Sequence, residues 1–195
     1  MATTIYILRH GQTTSDQEDR YGGWHEDDLT EQGMAQTEAA VTKLLNLGIE
    51  RILCSPLRRA HQTGGIVGAA LGLEVETWEG WKEHNCYGIL TGMTKAEARD
   101  KYPHLIEIVH DQVLTLPGKE PYPDFMARLA KALKETASLP EQTILVCTHS
   151  GPIRTLCRDI LQVGALKEVA DCALLRLSVV DGRISLEDSD GIEFA

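Results

Sequence analysis

Short runs of apolar residues alternate along the chain with segments in which apolar residues recur at helical spacing. The runs predict buried strands, and the helical spacing predicts amphipathic helices that pack against them. The predicted strands span residues 5–8, 51–54, 73–77 and 143–147, followed by a pair at 174–180 and 184–187. The predicted helices span residues 30–47, 55–71, 95–101, 124–137 and 151–161.

Residues suited to helix ends bound two of these helices. Thr30 has the side chain of an N-cap and stands directly before the first helical pattern. Ser55 followed by Pro56 predicts an N-cap and a proline at the first position of the second helix. Gly72 is placed to end that helix, since glycine adopts the left-handed conformation at low cost.

The order of the elements indicates the fold class. Strands that alternate with helices are typical of an α/β sandwich with a mainly parallel sheet. Asp181 and Gly182 form a type I′ hairpin signal, so the last two strands are expected to add an antiparallel edge. Residues 78–122 are irregular and predict a small cap over the functional site. A chain of 195 residues is expected to form a single domain over residues 1–195.

Acidic residues outnumber basic ones, 29 against 19, which gives a formal net charge of −10 at pH 7. Such a surface repels nucleic acid and anionic lipid, and no apolar run is long enough to span a bilayer. The expected partner is therefore a small molecule, with no nucleic acid and no membrane, and the chain is a monomer or a homodimer. An anionic ligand would need a local cluster of positive groups.

The five cysteines are odd in number and scattered, and no C-x-x-C spacing occurs. This pattern predicts neither a zinc site nor a disulfide framework. Reduced thiols are typical of a cytoplasmic protein, and the amino terminus lacks the basic segment of a signal peptide. We therefore expect a cytoplasmic location and no bound metal.

Cationic side chains follow three of the predicted strands. Residues 5–8 lead into Arg9 and His10, the second strand is followed by Arg59, and the apolar run at 143–147 leads to His149. Because the carboxyl ends of parallel strands meet at one edge of a sheet, these groups are expected to converge there. Histidine can act as a nucleophile and arginine binds phosphoryl oxygens with a planar fork. The convergence predicts a phosphate-sized pocket, opposite which a carboxylic acid or an imidazole must protonate the leaving oxygen.

Several motifs resemble those of one known family. Residues 8–13, with the sequence Leu-Arg-His-Gly-Gln-Thr, resemble the opening signature of the histidine phosphatase superfamily, in its phosphoglycerate-mutase-like branch. Four further segments resemble that family in the same order, at residues 20–33, 55–63, 87–92 and 146–154. The resemblance implies a three-layer α/β/α sandwich with no metal and no cofactor.

The resemblance also implies roles for particular residues. His10 would be the nucleophile that becomes phosphohistidine, while Arg9, Arg59 and His149 would hold the phosphoryl oxygens. A glutamate near residue 83 would be the proton donor, which makes Glu83 the third catalytic residue after His10 and His149. The segment that resembles the substrate loop contributes the candidate substrate-binding residues Gln12, Asp16, Arg20, Gly22 and Gly23.

Two positions depart from the family pattern. Glu83 precedes Gly88 by five residues, whereas the family spacing of four falls on His84. We favour Glu83 because loops absorb insertions easily, and His84 remains the alternative donor. Asp16 stands where many relatives have asparagine, so its carboxylate is expected to turn away from the phosphate or to pair with Arg20.

The resemblance leaves three functions open. The first is a metal-independent phosphomonoesterase that acts on a small phosphorylated metabolite through a phosphohistidine. The second is a cofactor-dependent phosphoglycerate mutase, whose family members generally have a longer cap. The third is a non-catalytic module that binds phosphate or a phosphoprotein. The identity of the substrate is not evident from residues 12–27 or 78–122.

Overall fold

Six strands form a single mixed sheet in the computed structural model, which describes residues 3–109 and 116–195. The strands are β1 Thr3–Arg9, β2 Arg51–Cys54, β3 Val75–Thr77, β4 Thr143–Thr148, β5 Leu166–Val180 and β6 Arg183–Phe194. Their order across the sheet is β3-β2-β4-β1-β5-β6. The first four strands in that order run parallel, whereas β5 and β6 are antiparallel to their neighbours. The predicted parallel sheet with an antiparallel edge is confirmed.

The hairpin of β5 and β6 is much longer than the sequence pattern predicted. Its turn lies at Asp181 and Gly182 as expected, and both residues have a positive φ. The pairing of β5 with β6 shifts register between Val169 and Leu174, which interrupts the alternation of buried and exposed residues. Much of β6 is exposed and polar, so an apolar pattern could not reveal its full length.

Seven α-helices occur in the described residues. They are α1 Thr14–Gln17, α2 Glu31–Leu44, α3 Arg58–Leu71, α4 Lys95–Lys101, α5 Pro103–Ile106, α6 Tyr122–Thr136 and α7 Ser150–Thr155. Thr30 caps α2 by accepting a hydrogen bond from the Gly33 N–H, and Gly72 ends α3 in the left-handed conformation. The predicted start of α3 at Ser55 was wrong, since the helix begins at Arg58.

Alternate residues of the two central strands, β1 and β4, face two different cores, because successive side chains of a strand point to opposite faces. One core lies against α6 and α7 and includes Ile5, Ile7, Leu129, Ile144 and Ile153. The other lies against α2 and α3 and includes Tyr6, Leu8, Leu44, Val67 and Leu145. The structure thus has the expected three layers, with the sheet between two layers of helices.

The segment predicted as a cap, residues 78–122, forms a small hydrophobic core that includes Leu90. Tyr21, from the chain after β1, also belongs to this core. Within it, residues 110–115 lie outside the described residues. Two short 3₁₀ turns, Glu79–Trp81 and Gly88–Leu90, flank the loop that carries Glu83. This segment packs against the chain after β1, where the Tyr21 N–H donates to the Met93 carbonyl over 2.9 Å.

Candidate active site

Three groups predicted to converge meet at the carboxyl ends of β1, β2 and β4. The ring centroids of His10 and His149 lie 5.1 Å apart. The Nε atom of Arg59 lies between the two rings, 3.2 Å from Nε2 of His10 and 3.2 Å from Nδ1 of His149. The backbone of His10 is held from both sides, since its N–H donates to the Thr148 carbonyl and its carbonyl accepts from the Cys172 N–H.

The hydrogen bonds of His10 determine which ring nitrogen carries the proton. Nδ1 lies 2.8 Å from the Gly11 carbonyl oxygen, which can only accept, so Nδ1 is the protonated nitrogen. Nε2 faces the donor Nε of Arg59 and therefore presents a lone pair. Burial, followed by the positive charges of Arg59 and Arg9, holds the pKa of His10 well below its usual value. The ring is thus a neutral imidazole whose lone pair points to the arginine.

His149 has the opposite proton arrangement. Its Nδ1 faces the same Arg59 donor, so its Nε2 carries the proton and donates to Oγ of Ser55 over 2.7 Å. Burial and the charge of Arg59 lower the pKa of His149 well below its usual value. Ser55 does not cap α3, since the helix begins at Arg58 with Leu57 as its N-cap, and the Ser55 hydroxyl oxygen also accepts from the Leu57 N–H over 3.3 Å.

Arg59 is anchored by a buried carboxylate that the sequence reasoning missed. Its Nη1 donates to Oδ1 of Asp27 over 2.7 Å and to the His25 carbonyl over 2.8 Å. Its Nη2 donates to the carbonyl of Gly23, which has a positive φ. Acidic residues are common just before a helix, because they interact favourably with its N-terminus. Asp27 lies just before α2, so its sequence position did not indicate that it binds Arg59.

Arg9 is held by the irregular part of β5. Its Nη1 donates to the Val169 carbonyl over 2.6 Å, and its Nη2 lies 3.2 Å from Oδ1 of Asp171. The other carboxylate oxygen of Asp171 accepts from the side-chain amide of Gln36 over 3.2 Å. The Nε atom of Arg9 is buried and has no hydrogen-bond partner among the described residues. Arg9 therefore retains one buried donor for a further acceptor.

Arg9, His10 and Arg59 line a cavity of about 350 Å³, a size that suits a small molecule. His149 is fully buried and is absent from the cavity wall. Its described wall contains four arginines and three carboxylates, namely Arg9, Arg20, Arg59, Arg154, Asp16, Asp27 and Glu83. In a chain of net charge −10, this is a local concentration of positive charge. A larger groove of about 510 Å³ lies between Trp24, Trp78 and α6, without His10, Arg59 or His149 in its wall.

The two candidate proton donors differ in where their functional atoms lie. The carboxylate of Glu83 accepts from the Gly151 N–H over 3.1 Å and from the His84 N–H over 2.7 Å, at the cavity wall. The ring of His84 stacks on Phe125 with centroids 4.6 Å apart, and its Nε2 donates to the Glu120 carbonyl over 2.9 Å. Because that N–H is already bound to a backbone oxygen, the geometry favours Glu83.

Two predicted residues of the substrate loop, Asp16 and Gln12, bind other groups of the protein. Asp16 does not pair with Arg20, because its carboxylate accepts from the Thr13 N–H and hydroxyl over 2.9 and 2.8 Å and so caps α1. Arg20 pairs instead with Glu18. Gln12 does not line the cavity, since its side-chain oxygen accepts from the Thr30 hydroxyl at the start of α2.

The remaining predicted substrate-loop residues, Asp16, Arg20, Gly22 and Gly23, all line the cavity. Ser15 and Tyr87 also line it, and sequence reasoning missed Ser15. The hydroxyl of Ser15 is buried and has no hydrogen-bond partner among the described residues. Cys86 is in the wall too, but burial raises the pKa of its thiol to about 12, so the thiol stays protonated.

The described residues contain neither a metal-binding cluster nor a helix that could cross a bilayer. No group of three or more His, Cys, Asp or Glu side chains is arranged to hold a metal ion in the part of the chain that the structure describes. None of the described helices combines the length and apolar character that crossing a bilayer requires.

Two known proteins are similar to most of this chain. A 2,3-bisphosphoglycerate-dependent phosphoglycerate mutase from Brucella ovis is 32% identical over 168 residues, which cover 80% of each chain. A bifunctional protein from Mycobacterium tuberculosis is 33% identical over 166 residues, and these cover 84% of this chain but 45% of that protein. This chain therefore spans less than half the length of that relative.

A solved structure shows the same fold. Mycobacterial glucosyl-3-phosphoglycerate phosphatase, in a complex with VO₃, superposes with a TM-score of 0.80 at 26% identity, over 99% of both chains. The sequence model of the histidine phosphatase superfamily (branch 1) matches residues 5–189. The match to nearly the whole chain confirms the resemblance seen in the motifs: this protein belongs to branch 1 of the histidine phosphatase superfamily.

Proposed function

We propose that the protein is a phosphomonoesterase that transfers the phosphoryl group of a small phosphorylated metabolite to His10 and then to water. The observation that supports this most directly is the neutral imidazole of His10. Its Nδ1 proton is bound by the Gly11 carbonyl, and its Nε2 lone pair lies beside the Arg59 guanidinium. Attack on a phosphoryl dianion requires that this lone pair give up the Arg59 Nε–H for phosphorus, while the guanidinium stays beside the reacting group and offsets its negative charge.

In the first step, Nε2 of His10 attacks phosphorus as the bond between phosphorus and the ester oxygen breaks. The proton of the Glu83 carboxylic acid passes to that oxygen, which leaves as an alcohol. In the second step, water attacks the phosphohistidine and its proton passes to the Glu83 carboxylate. The bond between phosphorus and Nε2 breaks, inorganic phosphate forms, and the lone pair returns to His10.

Phosphoryl transfer requires mainly positioning and neutralisation of the non-bridging oxygens. Arg59 supplies a guanidinium that Asp27 holds in place, and Arg9 supplies a buried Nε–H with no protein acceptor among the described residues. His149 acts through Arg59, because its Nδ1 accepts from the Arg59 Nε–H while its Nε2 proton is bound to Ser55. These groups would stabilise the transferred phosphoryl group without a metal ion, which supports the metal-independent form of the reaction.

The relatives include both phosphatases and mutases, so the proposal needs a test that separates them. The protein is incubated with p-nitrophenyl phosphate, and separately with 3-phosphoglycerate and a trace of 2,3-bisphosphoglycerate, both in the presence of EDTA. We expect phosphate release that His10→Ala abolishes and His61→Ala leaves unchanged, since His61 is exposed on α3. We also expect an acid-labile, base-stable phosphoryl adduct on His10 after rapid quenching.

Other outcomes would overturn the proposal. Equal slow release by the wild type and His10→Ala would indicate a binding module rather than an enzyme. Rapid formation of 2-phosphoglycerate would indicate a mutase. Loss of activity in EDTA that returns with added divalent cation would contradict metal independence.

A further inference from the structure

Arg128 on α6 binds the loop that carries Glu83, although it is absent from the cavity wall. Its Nη1 donates to the carbonyls of Lys82 and Gly80 over 2.7 and 3.2 Å. Its Nη2 donates to the carbonyl of Glu83 over 2.7 Å. The same guanidinium forms a two-pronged pair with Glu120, in which Nε and Nη2 lie 2.7 and 2.9 Å from the two carboxylate oxygens.

This arrangement fixes the backbone of a loop that belongs to no strand. The guanidinium is planar and rigid, so three carbonyls bound to it are held in one relative orientation. The Glu83 carbonyl also accepts from Nε1 of Trp24 over 2.7 Å, so both of its lone pairs are used. Glu120 neutralises the charge of Arg128, and its side chain is only 11% exposed.

Glu120 also binds the residues directly after Glu83, where this chain has one residue more than the family spacing. The Glu120 carbonyl accepts from the ring of His84. The Glu120 N–H donates to the Asn85 carbonyl over 2.9 Å, and the Asn85 N–H lies 3.3 Å from the Glu120 carboxylate. Glu120 and Arg128 thus bind both sides of the residue whose carboxylate reaches the cavity.

We propose that Arg128, held by Glu120, is a positioning residue that keeps the Glu83 carboxyl group where it protonates the leaving oxygen. This inference rests on the proposed function of Glu83. Arg128 acts through the backbone of residues 80–83 and does not touch the reacting atoms. Its removal should therefore impair protonation of the leaving group while phosphoryl binding by Arg9 and Arg59 is retained.

The test uses the dependence of the rate on the leaving group. An alkyl phosphate needs protonation of its leaving oxygen, whereas p-nitrophenyl phosphate needs little. Arg128→Lys keeps the charge but loses the planar fork. The measured rate is kcat/KM, because it reports only the steps up to transfer of the phosphoryl group to His10 and excludes the later hydrolysis, in which Glu83 also acts. We expect Arg128→Lys to lower kcat/KM for the alkyl phosphate by about 10- to 100-fold and kcat/KM for p-nitrophenyl phosphate by less than about threefold. The affinity for vanadate should stay unchanged.

A double variant shows whether Arg128 acts through Glu83. Glu83→Gln should show the same selective loss, and adding Arg128→Lys to it should cause no further loss. The matched control is Lys131→Met, which removes an exposed cation from the same helix and should change neither rate. If Arg128→Lys does not fold, Glu120→Gln provides the second variant, with a smaller loss of the same selectivity.

Equal losses on both substrates in Arg128→Lys or Glu120→Gln would overturn the inference and indicate a purely structural role. Additive losses in the double variant would overturn it too. If Glu83→Gln itself lowers both rates equally, the proposed role of Glu83 is wrong, and the positioning role of Arg128 is wrong with it. The first two results leave the phosphatase proposal intact, so the two failures are distinguishable.

Discussion

Asp27 and Arg59 form an ion pair of 2.7 Å in which neither side chain is more than 4% exposed. The pair lies directly behind the two imidazoles, because Nε of the same guanidinium faces both rings. The carboxylate therefore has two effects: it compensates a buried charge and it sets the orientation of the cation between His10 and His149.

Asp27→Ala should lower the free energy of unfolding by about 3–5 kcal/mol, because it leaves a buried guanidinium without its counter-charge. The neighbouring Asp28 offers a matched control, since its ion pair with Arg58 is about half exposed on both sides. Asp28→Ala should cost no more than about 1 kcal/mol. Urea unfolding of both variants provides the measurement, and a similar cost for the two would contradict the buried pair.

The stability should fall as the pH decreases through 6.5. His10 and His149 have lowered pKa values in the folded protein, so the unfolded state binds more protons below the ordinary histidine pKa. Each histidine should then remove up to about 1.4 kcal/mol of stability per pH unit below about 6.5, until its folded-state pKa is reached. Urea unfolding between pH 7.5 and 5.5, chosen as roughly the histidine range, would measure this.

The slope of stability against pH assigns the effect to particular residues. His149→Asn should reduce the slope, even if the variant is less stable than the wild type at every pH. His61→Ala should leave the slope unchanged because His61 is exposed. A slope that is the same in all three proteins would show that the buried imidazoles are not its source.

Gly151→Ala should reduce activity without reducing stability. A Cβ atom at this position would lie 2.0 Å from Oε1 of Glu83, so the carboxylate must move. The end of a glutamate side chain moves easily, and alanine is favoured over glycine within a helix. We expect kcat/KM for an alkyl phosphate to fall by about 10- to 100-fold, with a much smaller fall in kcat/KM for p-nitrophenyl phosphate.

The control for this substitution is Gly65→Ala in α3, where a Cβ atom would meet no described atom within 4 Å. It should leave both rates unchanged. Full alkyl phosphatase activity in Gly151→Ala would argue against Glu83 as the proton donor.

Asp171→Ala should weaken phosphate binding by about tenfold, which corresponds to about 1.4 kcal/mol and to the loss of one charge-assisted contact. The contact is the one with Nη2 of Arg9. Because the effect acts on the phosphoryl group, alkyl and aryl substrates should be affected equally. Inhibition by vanadate measures it, and Glu168→Ala, an exposed acid on the same strand, is the control. A leaving-group-dependent loss would assign Asp171 another role.

The apolar runs predicted the sheet well because their residues are buried from both sides. Residues 5–8 and 143–147 contain little else than apolar side chains, and each lies between two helical layers. The convergence of His10, Arg59 and His149 followed from the parallel order of their strands. The terminal hairpin was underestimated because its outer strand needs few apolar residues.

The positions of individual polar side chains could not be predicted because their partners are distant in sequence. Asp27 binds Arg59, and Arg128 binds the carbonyl of Glu83, through contacts that exist only after folding. Asp16 shows the converse: a local capping bond to Thr13 determines where its carboxylate lies, whereas the sequence left open whether it turns away from the phosphate or pairs with Arg20. A motif can identify which residue has a role in the site, but it does not identify the hydrogen-bond partner of that residue's side chain.

The position of β1 in the sheet constrains the order in which the protein can assemble. It is the first strand in the sequence, yet its two neighbours, β4 and β5, come from the last third. A nascent chain therefore presents the His10 strand with both edges unpaired throughout most of its synthesis. Such late, long-range pairing makes folding slow and leaves incomplete chains prone to aggregation.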